Sequence, residues 1–369
     1  MSLARDLVDR IFFPNRDVHA IPVLDGAFSP NQRLEQARTL GSGPEAPDDL
    51  VFGPPGTLYV SSGHSVFAAS GTDHAEHRGF VSFDAPAGGL AYTPQGNLLV
   101  CVAGKGVFAA DAAGNLVHWL KEVDGRALTC PTAVAVASDG TVFITEGSQH
   151  NVPQDWLRDL MQARPGSGRL IACSPELTRP RVLAECLSWP HGVAVTHDEE
   201  ALLVTESWTH RLSLFGREGG AAKILVRNFA GYPARIVRGA ADDYWMAFFA
   251  LRTQLTEFVL RERNFREKMM LQVPPELWIG PTLGGAFDYR EPTQIGRIKK
   301  LGIQKPWAPA RSYGLVARID GEGNGLESFH SRAAGTVHGV TAVRAMGPQV
   351  VAASKGNGRI VELPIFARN

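Results

Sequence analysis

The sequence predicts an all-β chain: a six-bladed β-propeller forming a single domain over 1–369. Two observations predict it. Short alternating apolar runs are separated by turn signals such as Asp139-Gly140, Gln95-Gly96 and Gly53-Pro54-Pro55-Gly56, the pattern of successive strands rather than of alternating strands and helices. The runs also repeat. "APAGGLAYTPQGNLLV" (85–100), "CPTAVAVASDGTVFI" (130–144), "WPHGVAVTHDEEALLV" (189–204) and "VHGVTAVRAMGPQVV" (337–351) share a short lead-in, an apolar strand, a turn and a second apolar strand. "APDDLVFGPPGTLYV" (46–60) and "YPARIVRGAADDYWM" (232–246) fit the same template, which makes six units.

The downstream parts recur as well: "GRLIACSP", "HRLSLF", "GLVARID" and "GRIVELP" follow the third to sixth units. Most units are spaced by about 40 residues, the length of a four-stranded propeller blade. The lead-in strand of each blade then lies nearest the central channel. The last unit shows three strands, so its outer strand is expected from "HAIPVLDGAF" (19–28), which closes the ring and covers its open edges. Two insertions interrupt the pattern. The first, 150–168, reads as a short helix from Trp156 to Ala163. The second, about 252–312, opens with "TQLTEFVLRERNFREKMML", where Leu255, Phe258, Val259, Phe265 and Met269 recur at near-helical spacing. A long insertion on a rigid scaffold suits a cap or lid, or a contact between copies of the chain in a homo-oligomer.

Composition narrows the partners. Lys and Arg balance Asp and Glu at 37 each, so no basic surface favours a nucleic acid or an anionic membrane. No apolar run is long enough to span a bilayer. The opening "MSLARDLVDRIFFPNRD" reads as a short amphipathic helix docked on the protein's own body and makes a poor secretory signal. Cys101, Cys130, Cys173 and Cys186 show no C-x-x-C spacing, which fits reduced thiols and a cytoplasmic location. No phosphate loop, dinucleotide fingerprint, G-x-S-x-G or H-E-x-x-H is present, so no nucleotide cofactor is expected and a small molecule is the expected partner.

In order and spacing, several segments resemble the strictosidine synthase-like family, within the wider group of gluconolactonase, paraoxonase and organophosphatase propellers. They are "VLDGAFSPNQRLEQARTL" (23–40), "APDDLVFGPPGTLYVSSG", "SDGTVFITEGS", "WPHGVAVTHDEEALLVTESWTHRLSLF", "FAGYPARIVRGAADDYW" and the closing "VHGVTAVRAMGPQVVAASKGNGRIVEL". The resemblance covers nearly the whole chain apart from the stretch around 271–310. It implies the propeller fold. It leaves the reaction open, because the group includes hydrolases, a condensing enzyme and members without settled activity.

Aligning the six units puts Asp48, Gly88, Thr132, His191, Ala234 and His338 just before the inner strands, as a ring at one channel mouth. In the hydrolase relatives, the resemblance implies that this ring holds Ca²⁺ through Glu, Asn, Asn and Asp. Here Asp48 stands for the Glu, Thr132 and His191 for the Asn residues, and Ala234 for the Asp. One carboxylate and two imidazoles suit zinc or another transition metal better than calcium, so Asp48, His191 and His338 are the candidate ligands of a divalent metal. Such a metal would activate water for hydrolysis of a small ester or lactone. In a metal-free version, His191 or His338 is the general base, and the other histidine or Arg235 stabilises the oxyanion. Thr132 and Asp49 are candidate substrate contacts. The alternatives are a non-catalytic ligand-binding propeller, or a lyase or condensing enzyme that uses a channel histidine as proton shuttle. The condensing enzyme of the family works through a glutamate in its last blade, whereas "AAGTVHGVTAVRA" here contains no acid. Glu146, Glu206 and His210 are expected to make hydrogen bonds between blades.

Overall fold

The computed structural model describes residues 19–365, apart from 42, 55, 285–298, 301–302, 305–311 and 333–334. Among these, six four-stranded antiparallel sheets form the blades. Blade I comprises Pro47–Gly53, Thr57–Ser62, Ser65–Ser70 and Glu76–Ser82, and blade II comprises Ala87–Tyr92, Leu98–Val102, Gly106–Ala110 and Leu116–Leu120. Blade III is built from Pro131–Val136, Val142–Glu146, Gly168–Cys173 and Arg181–Leu187, and blade IV from Pro190–Val195, Ala201–Glu206, Arg211–Gly216 and Lys223–Val226. Gly231–Arg238, Asp243–Leu251, Gly314–Asp320 and Gly325–Ser331 make blade V. Blade VI consists of Val340–Met346, Gln349–Ser354, Arg359–Glu362 and the short Arg38–Thr39. The first strand of each blade packs against the first strand of the next, and the contact of blade VI with blade I completes the ring.

Buried side chains fill the spaces between blades, one cluster per interface. Leu99, Cys101, Ile144 and Ile171 lie between blades II and III, for example, and Leu170, Leu202, Val204 and Phe215 between III and IV. A middle strand therefore has apolar neighbours on both faces, which is why Leu98–Val102 and Val142–Glu146 are buried at every position. Each aliphatic side chain buried in this way stabilises the ring by about 1.5–3 kcal/mol.

The ring closes through Arg38–Thr39, which pairs antiparallel with Val361 and Glu362, and not through 19–28 as the pattern suggests. Arg38 Nε donates to Glu362 at 3.0 Å. Upstream, Asp25-Gly26 turns the chain into a 3₁₀ segment, Gly26–Phe28, that seats Phe28 against Phe229 and Phe248 on the outside of the propeller. The demand to bury this ring overrides strand pairing there.

Both insertions begin with helices as the sequence predicts. Helix α1 spans Trp156–Gln162 between the second and third strands of blade III. Helices α2 (Gln254–Arg261) and α3 (Arg263–Gln272) occupy the same place in blade V. The Thr253 side chain caps α2 by accepting from the Thr256 backbone N–H. The buried pair of Arg252 Nε and Glu257 Oε1, 2.8 Å apart, fixes α2 to the blade, and α3 packs on α1. Trp278 is fully buried in the same apolar cluster as Leu160 and Met161, so the described part of the second insertion is part of the body. Most of 285–311, including the basic residues Arg297 and Lys305, lies outside the described residues. The same holds for the N-terminal stretch 1–18.

Candidate active site at the channel mouth

Each inner strand carries a β-bulge or register shift at the same end. It falls at Asp48, Gly88–Gly89, Thr132, His191, Ala234–Arg235 and Thr341. A bulge leaves one residue outside the ladder and re-aims its side chain, and this turns the start of each blade towards the channel. Five of the six positions are those expected from the repeat. In blade VI the place belongs to Thr341, three residues after His338.

The two His-Gly pairs that suggest equivalence exist for different reasons. A Cβ on Gly192 would lie 2.7 Å from the Ala234 carbonyl oxygen, so glycine lets blade IV approach blade V. Gly339 instead has φ +61°, and a Cβ there would lie 2.5 Å from the Leu283 carbonyl. His338 is accordingly a structural group. Its Nδ1 meets Ser312 Oγ at 2.9 Å and its Nε2 meets the Arg332 carbonyl at 2.8 Å. It does not line the mouth.

The mouth itself is a cavity of about 430 Å³. Its floor is formed by Asp48, Gly88, Thr132, His191, Arg235 and Lys355, and Trp156, Trp189, Phe249 and Leu283 supply an apolar wall. The wall is packed against other rings: Trp189 stacks on Trp208 at 5.0 Å, and the Phe249 ring lies 5.6 Å from that of His191. Asp159 of α1 accepts from Trp208 Nε1 at 2.8 Å and from Ser148 Oγ at 2.7 Å, which ties the helix to blades III and IV at the rim.

The charges on the floor are paired. Asp48 Oδ2 accepts from Arg235 Nη2 at 2.6 Å, and Asp48 Oδ1 faces Lys355 Nζ at 2.5 Å. Burial opposes the charge of this carboxylate, yet Lys355 and Arg235 hold its pKa well below the usual range. Arg235 is itself buried, and the carboxylates of Asp48 and Asp49 raise its pKa against the cost of burial. Burial, and then the charge of Arg235, push the His191 imidazole down to about 3, so it is a neutral base at ordinary pH. Its Nδ1 sits 3.5 Å from Ser207 Oγ, and its Nε2 has no hydrogen-bond partner among the described residues.

Two expected substrate contacts are otherwise engaged. Asp49 is fully buried beneath the floor, where it accepts from the Leu90 N–H at 2.8 Å and from Arg344 at 2.9 Å. Thr132 lines the cavity, but its hydroxyl donates to the Pro190 carbonyl at 2.6 Å and links blade III to blade IV. Lys355 escapes the repeat alignment because it follows the second strand of blade VI rather than leading into the first. Its signal is the "SKGNG" turn, equivalent to the turns that bring His64 and Ala103 to the same cavity.

Two family models match the sequence: strictosidine synthase over residues 132–215, and the N-terminal region of strictosidine synthase-like proteins over 26–63. In these segments the chain is similar to strictosidine synthase-like proteins, and its fold is a six-bladed β-propeller. Protein STRICTOSIDINE SYNTHASE-LIKE 6 of Arabidopsis thaliana is 29% identical over 160 residues, which is 43% of each chain. The adipocyte plasma membrane-associated protein of Danio rerio is 28% identical over 332 residues, covering 84% of this chain and 73% of the relative. The aligned part is thus less than half of the Arabidopsis relative and about three quarters of the fish one. Among solved structures, a gluconolactonase from Xanthomonas campestris superposes with a TM-score of 0.58 at 15% identity, covering 90% of this chain and 91% of that one. A regucalcin from Agrobacterium tumefaciens, described as a calcium-binding protein, gives 0.57 at 14% identity, covering 89% and 93%. At these identities the likeness shows the fold, and the fold group includes a calcium binder.

The channel mouth fits a divalent metal poorly. Both oxygens of Asp48 are taken by cationic side chains, and His338 lies outside the cavity, so the set Asp48, His191 and His338 is not brought together. Among the described residues, no group of three or more His, Cys, Asp and Glu side chains is placed to hold a metal ion. A positive charge already stands on each face of the one carboxylate that a metal would use.

Buried imidazoles also set a pH dependence for the fold. His191 and His210 are pushed down to about 3 and His330 to about 4, in each case mainly by burial, against about 6.5 in an unfolded chain. The unfolded chain then binds more protons at acid pH. The stability from keeping these rings neutral is full above about pH 6.5 and is lost as pH falls towards the folded values. Asp48, whose folded pKa is likewise lowered, acts in the same sense, but only below the ordinary carboxylate range. Urea midpoints should therefore drop between pH 8 and pH 5 by the equivalent of about 2 kcal/mol per histidine. A flat profile would contradict neutral burial of these rings.

Proposed function

We propose that the channel mouth hydrolyses a small ester or lactone without a metal. The observation that carries this reading is the convergence of a neutral imidazole, His191, and two cations, Arg235 and Lys355, on one cavity with an aromatic wall. In this scheme His191 Nε2 takes a proton from water as the water oxygen bonds to the carbonyl carbon. The carbonyl oxygen gathers negative charge towards Lys355, with Arg235 behind it. Collapse breaks the bond between the acyl carbon and the alkoxy oxygen, and the imidazolium returns its proton to the leaving alkoxide. Asp48 favours the charged imidazolium formed midway. Trp156, Trp189 and Phe249 hold the apolar part of the substrate.

Three of the four cysteines are buried, and all four are free thiols, which supports a reducing, cytoplasmic setting. No helix among the described residues is long and apolar enough to cross a membrane. Phe258, Phe265 and Leu271 are exposed on α2 and α3, which is where self-association through the insertion would act.

A panel of lactones and aryl esters, followed by proton release, tests the hydrolytic reading. Quenching of Trp156 and Trp189 fluorescence reports binding in the same samples. Saturable hydrolysis of at least one compound is expected. Quenching without hydrolysis anywhere between pH 6 and 8 would favour a non-catalytic ligand-binding propeller instead.

A further inference from the structure

We infer that Arg235 is a built-in cation of the channel, its guanidinium filling the oxygen cage in which the inner strands of blades I, III and VI would otherwise hold a bound ion. The guanidinium reaches from blade V across the axis. Nη1 donates to the Asp48 carbonyl at 2.8 Å and to the Thr341 carbonyl at 3.4 Å. Nη2 donates to Asp48 Oδ2 at 2.6 Å and to the Thr132 carbonyl at 2.8 Å. Nε lies 3.2 Å from both the Thr132 carbonyl and Asp49 Oδ2. Every partner is an oxygen, from main chain or carboxylate, the donor type that hard cations such as Ca²⁺ select. The five N–H donors of a planar guanidinium satisfy the same oxygens without a metal.

The position is also a plug. Arg235 lines the cavity at the mouth and a second cavity of about 220 Å³ towards the other end, shared with Arg344, Val51, Leu90 and Val193. The side chain thus separates two spaces that a shorter residue would join. This inference concerns which cation the cage holds and stands whether or not the mouth hydrolyses esters.

Thermal unfolding of the full chain tests it without any turnover. The native protein should show the same melting temperature in EDTA and in millimolar CaCl₂. Arg235→Ala should melt lower and should be raised by roughly 2 °C or more by either CaCl₂ or methylguanidinium, each re-entering the vacated cage. Lys355→Met, which keeps the guanidinium in place, should remain indifferent to CaCl₂ and serves also if Arg235→Ala does not fold. Stabilisation of the native protein or of Lys355→Met by calcium would overturn the assignment. A folded Arg235→Ala that responds to neither cation would overturn it as well.

Discussion

His191→Ala is expected to lower kcat/KM for the best ester or lactone by roughly 10²–10⁴-fold, the usual contribution of a general base, while the protein stays folded. His191 is the imidazole among the ring residues that lines the cavity. It sits in a bulge whose backbone is fixed by the flanking pairs of Pro190 with Glu206 and Gly192 with Thr205. Its removal leaves the strand ladder intact, so the circular dichroism spectrum should be that of the native protein. With a base held near pKa 3, the native rate should show no loss between pH 8 and pH 5 from protonation of this group. His338→Ala makes the contrast. It deletes bonds to Ser312 and Arg332 away from the cavity, so it should cost stability and leave the chemical step nearly unchanged. Equal losses of activity in the two variants would remove His191 from its proposed role.

Arg169→Met is expected to destabilise the fold by about 3–5 kcal/mol, the cost of leaving a buried charge without its partner. Arg169 Nε lies 2.6 Å from Glu146 Oε2, and both side chains are at most 1% exposed. Glu146 also accepts from the Thr129 N–H at 2.9 Å, and even so burial pushes its carboxyl up. Blade IV repeats the device: Glu206 pairs with Arg211 at 2.6 Å and accepts from the Ser188 N–H at 2.9 Å. Each glutamate ends a second strand and fixes the lead-in to the inner strand of its own blade. Arg211 is 28% exposed, so Arg211→Met leaves Glu206 access to water and should cost less. Urea denaturation of the two variants checks the order. Equal, small losses would mean that the lead-ins are held by backbone pairing alone.

The blades were legible because alternating apolar runs and turn pairs report strand pairing directly, and the six units found in the sequence are the inner strand pairs of the six sheets. Boundaries that depend on one or two contacts were not. Arg38–Thr39 contributes a two-residue pairing with no pattern of its own, whereas "HAIPVLDGAF" looks extended and packs Phe28 elsewhere. The mouth was legible to the same depth. Asp48, Thr132 and His191 follow from the repeat, and Arg235 follows as their neighbour. His338 was misplaced because His-Gly arises once from close packing of blades and once from a left-handed turn. Asp49 turned inward because the residue after a bulge faces the neighbouring blade. Nothing in the pattern reveals that a guanidinium from blade V and the ammonium of Lys355 meet on Asp48, since that depends on the width of the channel.

The most direct test of a mouth whose cation is protein-borne is ester or lactone turnover by protein dialysed exhaustively against EDTA, with metal content measured on the same sample. Undiminished turnover at far less than one metal per chain is the expected result. Loss of turnover on dialysis, with recovery on adding calcium or zinc, would contradict it and put a metal back at Asp48.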